Sequence, residues 1–286
     1  MREKRLMTTR MAPQKKKKTK KTTAGRKRMG SDLELPAPKL GRVDGPQYPL
    51  RPNYIKKSIV TEADLERLVE QGLLKDKSSL LWSAPAPEEP HPLDPVDKIT
   101  MFTHFIGRGI GIPTCDFLCE LLSFYGLELQ NLNPNGILHI SIFVHFCEVF
   151  LGIKPHFDLF CRFFCIKLYP KEYSIWPIGG VNIQLRPDAK KRYFDYVLPE
   201  NDVEWKKFWW YVENHPPALP EFTRVAPVCN SSWNDLPCYR EALQFPESYE
   251  KIDQLKQQGV TVASIVYNWT ERRVQPLMER DTWGFG

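Results

Sequence analysis

The chain has 286 residues, of which 42% are hydrophobic and 12% aromatic, enough to form the core of one large domain or two small ones. Its net charge of +6 combines two unlike parts, because residues 1–30 carry 13 Lys and Arg against the single acid Glu3. The whole chain has 40 basic and 34 acidic residues. Residues 31–286 therefore hold 27 basic and 33 acidic residues and carry a net charge of −6. An acidic body is poorly suited to bind a phosphate backbone, and we expect any nucleic-acid affinity in the N-terminal residues.

The cysteines and the apolar runs indicate a protein kept in a reducing compartment. Seven is an odd number of cysteines, and most of them lie within apolar runs rather than at the spacings of a secreted disulfide framework. The charged N-terminus is followed by no apolar stretch, so no secretory signal is expected. The longest apolar run, Ile137–Ile153, is interrupted by His139, His145 and Glu148 and falls short of the ~20 apolar residues of a membrane span. We predict a buried core helix there and no contact with a membrane.

Residues 1–34 are predicted to form a disordered basic arm. The arm contains two clusters of positive charge without an apolar residue that could dock them on a core, namely Lys15, Lys16, Lys17, Lys18, Lys20 and Lys21, then Arg26, Lys27 and Arg28. Such clusters fit the acidic grooves of a nuclear import receptor, and we therefore predict a nuclear protein. Direct contact with DNA or RNA phosphates is one alternative, and a solvated charge run without a partner is the other.

Residues 35–97 are predicted to be a proline-rich linker that contains one short helix. Prolines at positions 36, 38, 46, 49 and 52 keep the chain extended. Thr61 then caps a helix, Asp64 completes a capping box, and Gly72 ends the helix. A second proline-rich stretch, 85–95, precedes the main body. The sequence leaves open whether the short helix docks on that body.

Residues 98–286 are predicted to form the main body, which opens with a glycine-rich motif and three helices. The motif at 107–111, Gly-Arg-Gly-Ile-Gly, invites comparison with a phosphate-binding loop. It has no strand-to-helix entry with a following Lys-Ser or Lys-Thr, so we interpret it as a plain loop. Helical spacing follows from Thr114 to Tyr125, from the capping pair Asn133-Pro134 through Leu151, and from 155 to 164.

The second half of the body combines a small sheet with further helices. Apolar residues from 176 to 185 flank Gly179-Gly180 and predict a hairpin, with 192–197 as a third strand. Helical spacing returns at 203–212, around 247–258 and around 262–273. The expected fold class is mainly α with a small antiparallel β element (α+β).

The residues that could carry chemistry form no complete catalytic motif. Soft metal ligands are dense in the first half of the body, but they are spread through apolar helices instead of the close pairs of a zinc site: His139, His145, Cys147, His156, Cys161 and Cys165. A nucleophilic Cys147 with a neighbouring histidine is disfavoured, because an apolar stretch does not activate a thiol. No spacing selects three carboxylates for a two-metal nuclease from Asp188, Asp195, Asp202, Glu204 and Asp235. We predict no catalytic residue, no metal ligand and no cofactor.

Aromatic and basic residues are interleaved at 205–211, as they are on platforms that stack single-stranded bases. Trp205, Phe208 and Trp209 fall at i, i+3 and i+4, which core packing of a helix explains. Trp210 and Tyr211 are left as a possible interaction surface.

Several uncommon short motifs occur in the order in which they are found in the gypsy-type transposon domain abundant in grass genomes, and the chain closely resembles that domain. The words are FIGRGIGIP at 105–113, LLSFYGLEL at 121–129, LNPNGILHI at 132–140 and CEVFLGIKPHF at 147–157. Gly179-Gly180, Leu185-Arg186, the run 209–212 and the run 272–277 follow in the same order, so the resemblance covers roughly residues 55–280. The family often has paired histidines before the LNP word, where this chain has Gln130-Asn131.

The resemblance implies a plant retrotransposon-derived protein, but it brings no established active site. The chain has no Asp-Thr-Gly or Asp-Ser-Gly protease word and no Tyr-x-Asp-Asp polymerase word. Our first hypothesis is a non-enzymatic nuclear module that binds protein or nucleic acid and associates with itself or another protein. The alternatives are a divergent transposase- or integrase-like, metal-dependent nuclease, and a degenerate element product without function. Relatives often continue into long helical segments, so this chain is expected to be a fragment of a longer protein.

Overall fold

The computed structural model describes residues 56–93, 97–169, 176–195, 198, 204–216, 218–236 and 245–274. The chain divides into two units, residues 1–45 and residues 46–286, and every described residue belongs to the second. Within the described part, helices predominate and the strands form two small antiparallel sheets. The predicted fold class, mainly α with a small antiparallel β element, is confirmed.

The elements follow in this order along the described chain. The α-helices are α1 (Glu62–Glu70), α2 (Thr103–Ile106), α3 (Asp116–Tyr125), α4 (Pro134–His145), α5 (Phe157–Phe163), α6 (Pro246–Gln257) and α7 (Val262–Trp269). The strands are β1 (Trp82–Ser83), β2 (Lys98–Phe102), β3 (Phe164–Leu168), β4 (Val181–Leu185) and β5 (Trp209–Glu213). Two π-helical segments, Phe146–Leu151 and Thr270–Val274, extend α4 and α7.

Helix α1 has the caps that its sequence predicts, and it docks on the body. The Thr61 side chain accepts from the backbone N–H of Asp64, and the Asp64 side chain accepts from the backbone N–H of Thr61. Leu65 is fully buried. The capping box stabilises the start of the helix, and the buried leucine packs it against the core. The sequence left open whether this helix docks on the body, and the structure shows that it does.

The three-stranded sheet has the order β1-β5-β2 and is buried on both faces. In β5, Trp209 and Tyr211 share one face, because alternate residues of a strand point the same way. Trp209 Nε1 donates to Lys56 O at 2.8 Å and the Tyr211 hydroxyl donates to Glu89, so residues N-terminal to β2 cover this face. Trp210 and Val212, on the other face, are also fully buried.

The prediction of a helix over 203–212 is wrong. Residues 205–207 form a single 3₁₀ turn, and the chain then enters β5, which pairs with β2 through five residue pairs from Lys98↔Glu213 to Phe102↔Trp209. A strand covered on both faces has an unbroken apolar run, and its pattern is the same as that of a short buried helix. The same ambiguity explains why strand β2 was not predicted.

The hairpin predicted around Gly179-Gly180 is wrong, although its second half is a strand that pairs with an earlier segment. Strand β4 pairs with β3, with Phe164 opposite Leu185 and Leu168 opposite Val181, while Gly179-Gly180 leads into β4 instead of forming the turn. The proposed third strand at 192–197 is wrong for its described residues, since a 3₁₀ turn at 189–191 leads to irregular chain up to 195. A strand's partner depends on long-range packing, which the local pattern does not contain.

Helix α4 and its π-helical extension form the centre of the body. The Asn133 side chain accepts from Gly136 N at 2.8 Å and Pro134 occupies the first turn, as the sequence predicts. The stretch Pro134–Leu151 is long and apolar enough to cross a membrane by length and composition, but 72% of it is buried inside the fold. Burial by the surrounding elements is the usual position of a core helix in a globular domain.

Candidate functional site

The two groups of site residues predicted from the sequence have different outcomes. The basic clusters of the arm, Lys15–Lys21 and Arg26–Arg28, lie outside the described residues. Trp210 and Tyr211 are described, and their side chains are 0% and 4% exposed. Neither residue therefore offers a surface to a partner in this conformation, because both belong to the doubly covered strand β5 instead of a helix.

The soft metal ligands of the first half of the body are engaged separately. His139 packs on the Phe164 ring, the His156 Nδ1 accepts from Asp158 N at 3.2 Å at the start of α5, and Cys161 Sγ lies 3.3 Å from the Tyr125 hydroxyl. In the part of the chain that the structure describes, no three His, Cys, Asp or Glu side chains come together in a group that could hold a metal ion.

A cleft of about 220 Å³ opens beside α4. The glycine-rich loop forms one wall, the start of α3 the second and one face of α4 the third. The lining residues are Gly109, Ile110, Gly111, Pro113, Thr114, Cys115, Leu118, Ile137, Ile140, Ser141, Val144, His145 and Arg273. The walls are mainly aliphatic, and the polar groups concentrate where α4 meets the C-terminal helix.

A chain of hydrogen bonds, here called the polar interface, joins α4 and its extension to α7 and its extension. Its members are Ser141, His145 and Glu148 on one side and Asn268, Trp269 and Arg273 on the other. Trp269 Nε1 donates to Ser141 Oγ at 2.9 Å, and Arg273 forms an ion pair with Glu148. The two helices are thus held together by polar contacts at the edge of the cleft.

His145 is held in one tautomer at the centre of the polar interface. Its Nε2 lies 3.0 Å from Asn268 Oδ1, which has no proton to give, so Nε2 carries the hydrogen. Its Nδ1 accepts from Arg273 Nε at 3.4 Å. Burial lowers the pKa of His145, and the nearby positive charges of Arg273 and Arg272 lower it further. The imidazole is therefore neutral at pH 7 and both nitrogens are occupied.

The central glycine of the 107–111 motif serves packing instead of phosphate binding. Gly109 has φ +90°, and a Cβ on it would lie 2.3 Å from Ser141 Oγ and 2.8 Å from Trp269 Cζ2. Gly111 has nothing within 4 Å of an added Cβ. Only the glycine that faces the polar interface is required sterically, because a side chain there would displace the Trp269 ring from α4.

The thiols near the cleft are not activated as nucleophiles. Cys115 lies at the mouth of the cleft, and although the residue reaches the surface, partial burial of its side chain raises the pKa of its thiol. Burial raises the pKa of Cys147 to about 12 and that of Cys161 to about 11. A catalytic cysteine needs a lowered pKa, so these sulfurs are protonated and unreactive at neutral pH.

The polar interface was not predicted from the sequence, although the α4 half of its pattern is visible there. Ser141, His145 and Glu148 fall at i, i+4 and i+7, which places them on one stripe of an otherwise apolar helix. Such a polar stripe on a buried helix indicates a polar partner. The partner residues, Asn268 and Arg273, lie more than 120 positions away, and no local pattern points to them.

Together these features define a mixed helical body with an aliphatic cleft whose polar groups are bound to one another. Residues 99–168 match the family described as "Putative gypsy type transposon", about a quarter of the chain, so the chain contains a domain related to gypsy-type transposon proteins. The matched segment begins in β2, ends with β3 and includes the cleft walls from Gly109 to His145. Neither a curated protein nor a solved structure matches the chain.

Proposed function

We propose that this chain is a non-enzymatic nuclear protein derived from a gypsy-type element, in which the basic arm directs the protein to the nucleus and the body binds protein. The observation that carries the proposal is the separation of charge. Residues 1–30 have a net charge of +12 and residues 31–286 a net charge of −6. The positive charge of residues 1–30 favours binding to nuclear import receptors and to nucleic acids. The negative charge of residues 31–286 disfavours contact with phosphate.

The size and lining of the cleft favour a protein partner over a small-molecule ligand. Its volume of about 220 Å³ is below the roughly 300–1,000 Å³ typical of small-molecule sites. Its aliphatic walls, including Leu118, Ile140 and Val144, suit one apolar side chain, which is how an anchor residue enters a protein interface. The partner we propose first is a second copy of the chain.

The first experiment follows the location of a fluorescently tagged full-length chain in plant cells. Variants replace Lys15–Lys18 by alanine, Arg26–Arg28 by alanine, or both clusters together. The matched control replaces Lys190 and Lys191, two exposed lysines of the body. We expect the double-cluster variant to lose nuclear enrichment and the control to keep it. Undiminished enrichment of the double-cluster variant would overturn the role of the arm.

The second experiment separates the arm from the body in nucleic-acid binding. The full chain and a chain lacking residues 1–30 are titrated with DNA and RNA between 50 and 200 mM salt, values chosen to span roughly the range where counterion release is steep. Any binding by the full chain should weaken steeply with salt, and the shortened chain should not bind. Cleavage of DNA by the shortened chain with Mg²⁺ would establish the nuclease alternative instead.

The third experiment tests self-association through the cleft. The mass of the full chain in solution is measured against concentration, together with Val144→Trp, which fills the cleft, and Val149→Trp, an exposed control position on the π-helical extension of α4. We expect Val144→Trp alone to shift the chain towards the monomer. A chain that stays monomeric at all concentrations would exclude a second copy as the partner.

A further inference from the structure

The outer edge of β3, on the side away from β4, is closed at its middle residue by one side chain. Ile166 lies opposite Ile183 of β4, but its backbone N–H and C=O point away from that strand, because successive residues of an antiparallel strand bond to opposite sides. The side-chain amide of Asn234 binds both groups. Ile166 N donates to Asn234 Oδ1 at 2.7 Å, and Asn234 Nδ2 donates to Ile166 O at 2.9 Å.

These two hydrogen bonds are the ones that a neighbouring strand would make. In a hydrogen-bonded pair of antiparallel residues, each residue donates one N–H to the other and accepts one N–H from it. The Asn234 amide offers the same donor and acceptor from a side chain, so it satisfies the strand edge without extending the sheet. Asn234 is itself exposed, and the edge that it covers therefore lies directly beneath the surface of the body.

The 3₁₀ turn that carries this amide is anchored from two sides. Arg186 Nη2 donates to Asn234 O and Arg186 Nε donates to Phe164 O, each at 2.9 Å, so one guanidinium connects the turn to the edge of β3. Trp233, the preceding residue, is buried and packs edge-on against the Tyr125 ring, with the ring centroids 6.2 Å apart. We therefore expect the turn to keep its place when the amide side chain is shortened, so that only the strand edge is uncovered.

We propose that the outer edge of β3 is an interaction surface masked by Asn234, and that its partner, once it is unmasked, is the same edge of a second copy. The bonding is self-complementary, because two copies of Ile166 related by a two-fold axis exchange both hydrogen bonds. Cys165 of one copy then lies opposite Lys167 of the other, so the two lysines do not face each other. The product is a closed dimer with one four-stranded sheet. This surface is separate from the cleft, so the inference does not depend on association through the cleft.

The experiment measures the mass of the full chain in solution against concentration, both in the unmodified chain and in the Val144→Trp background, where the cleft is filled. In that background we expect Asn234→Ala to form dimers that dissociate on dilution. Gln257→Ala removes an exposed amide from α6 and is the matched control, which should stay monomeric. Hydrogen exchange at the Ile166 N–H, measured on the monomers, should be faster in Asn234→Ala than in the control. A folded Asn234→Ala variant that stays monomeric at all concentrations would overturn the proposal.

Two further variants separate strand pairing from unfolding. Asn234→Lys removes the same amide but places a positive charge at the edge, where charged side chains disfavour strand pairing. It should show the fast exchange at Ile166 without forming dimers, and dimers as stable as those of the alanine variant would count against the proposal. Should Asn234→Ala unfold, Asn234→Ser replaces it, because its hydroxyl can bond to one of the two backbone groups. A folded serine variant that exchanges fast at Ile166 and never dimerises would equally contradict the proposal.

Discussion

The three-stranded sheet and the polar interface hold the same body together by different means. In the sheet, β5 is covered on both faces, and large aromatic side chains are withdrawn from water. In the polar interface, α4 and α7 meet through hydrogen bonds and an ion pair at the edge of a cleft. The difference leads us to expect that truncating a large side chain of the sheet costs more stability than removing one polar contact, whereas sensitivity to single atoms and to protonation is expected around α4. The predictions below test this contrast.

Truncating the central strand should have the largest effect. Trp209→Ala empties a fully buried site in β5 and removes the hydrogen bond from Nε1 to Lys56 O, so the free energy of unfolding should fall by about 3–5 kcal/mol. Phe124→Ala, at an aromatic residue that is 64% exposed, is the control and should cost far less. Denaturant titration measures both. Similar losses at the two positions would contradict the structural role of the buried Trp209 ring.

Adding one methyl group beside the polar interface should rank second. Gly109→Ala combines a positive φ with a clash against Ser141 and Trp269, and we expect a loss of about 3 kcal/mol in the free energy of unfolding. Gly111→Ala, two positions along the same loop, meets no neighbour and should change stability by less than about 0.5 kcal/mol. Equal tolerance of both substitutions would contradict the packing role of Gly109.

Lowering the pH should destabilise the body through the buried imidazole of α4. Burial lowers the pKa of His139 from 6.5 to about 4. The folded protein therefore binds this proton less readily than the unfolded chain, so the stabilisation is complete above pH 6.5 and is lost as the pH falls towards 4. The loss is about 3 kcal/mol. His139→Leu should lack this component, and curves of stability against pH that stay parallel for the two proteins would refute it.

Removing one hydroxyl from the polar interface should have the smallest effect. Ser141→Ala leaves the buried Trp269 N–H without its acceptor and should cost about 1 kcal/mol. Because Ser141 Oγ is the atom that an alanine at Gly109 would meet first, the two substitutions should not be additive. A double-mutant cycle measures the coupling. Strict additivity would mean that the loop and the interface do not share this contact.

The structural features that the sequence predicts correctly are those set by residues close together in the chain. The capping box of α1 and the Asn133 cap of α4 are set by residues three positions apart, so they can be identified without knowing the rest of the fold. Helices α3 and α5 follow from the same kind of information, whereas the short helix α2 was not predicted. The resemblance to gypsy-type transposon proteins rests on consecutive words in the same region and is confirmed for residues 99–168.

What the sequence does not predict depends on distant partners. The sequence pattern of strand β5 resembles that of a buried helix because both faces of the strand are covered. One of the covering segments, around Lys56, is more than 150 positions away. Strand β4 packs against α4 and pairs with β3, and its local sequence pattern indicates neither neighbour. In the cleft, the α4 side of the polar interface was visible as a stripe, whereas Asn268 and Arg273 were not. The basic arm stays a prediction from charge alone.

The pairing of the strands has a consequence for shortened forms of this chain. The matched segment 99–168 begins in β2 and ends with β3, but β2 pairs with β5 and β3 pairs with β4, both of which lie downstream of the match. A copy truncated to that segment would have two open β-edges with no strand to complete them, and such edges favour aggregation. A shortened chain in which both strands keep their partners therefore has to extend at least through residue 213.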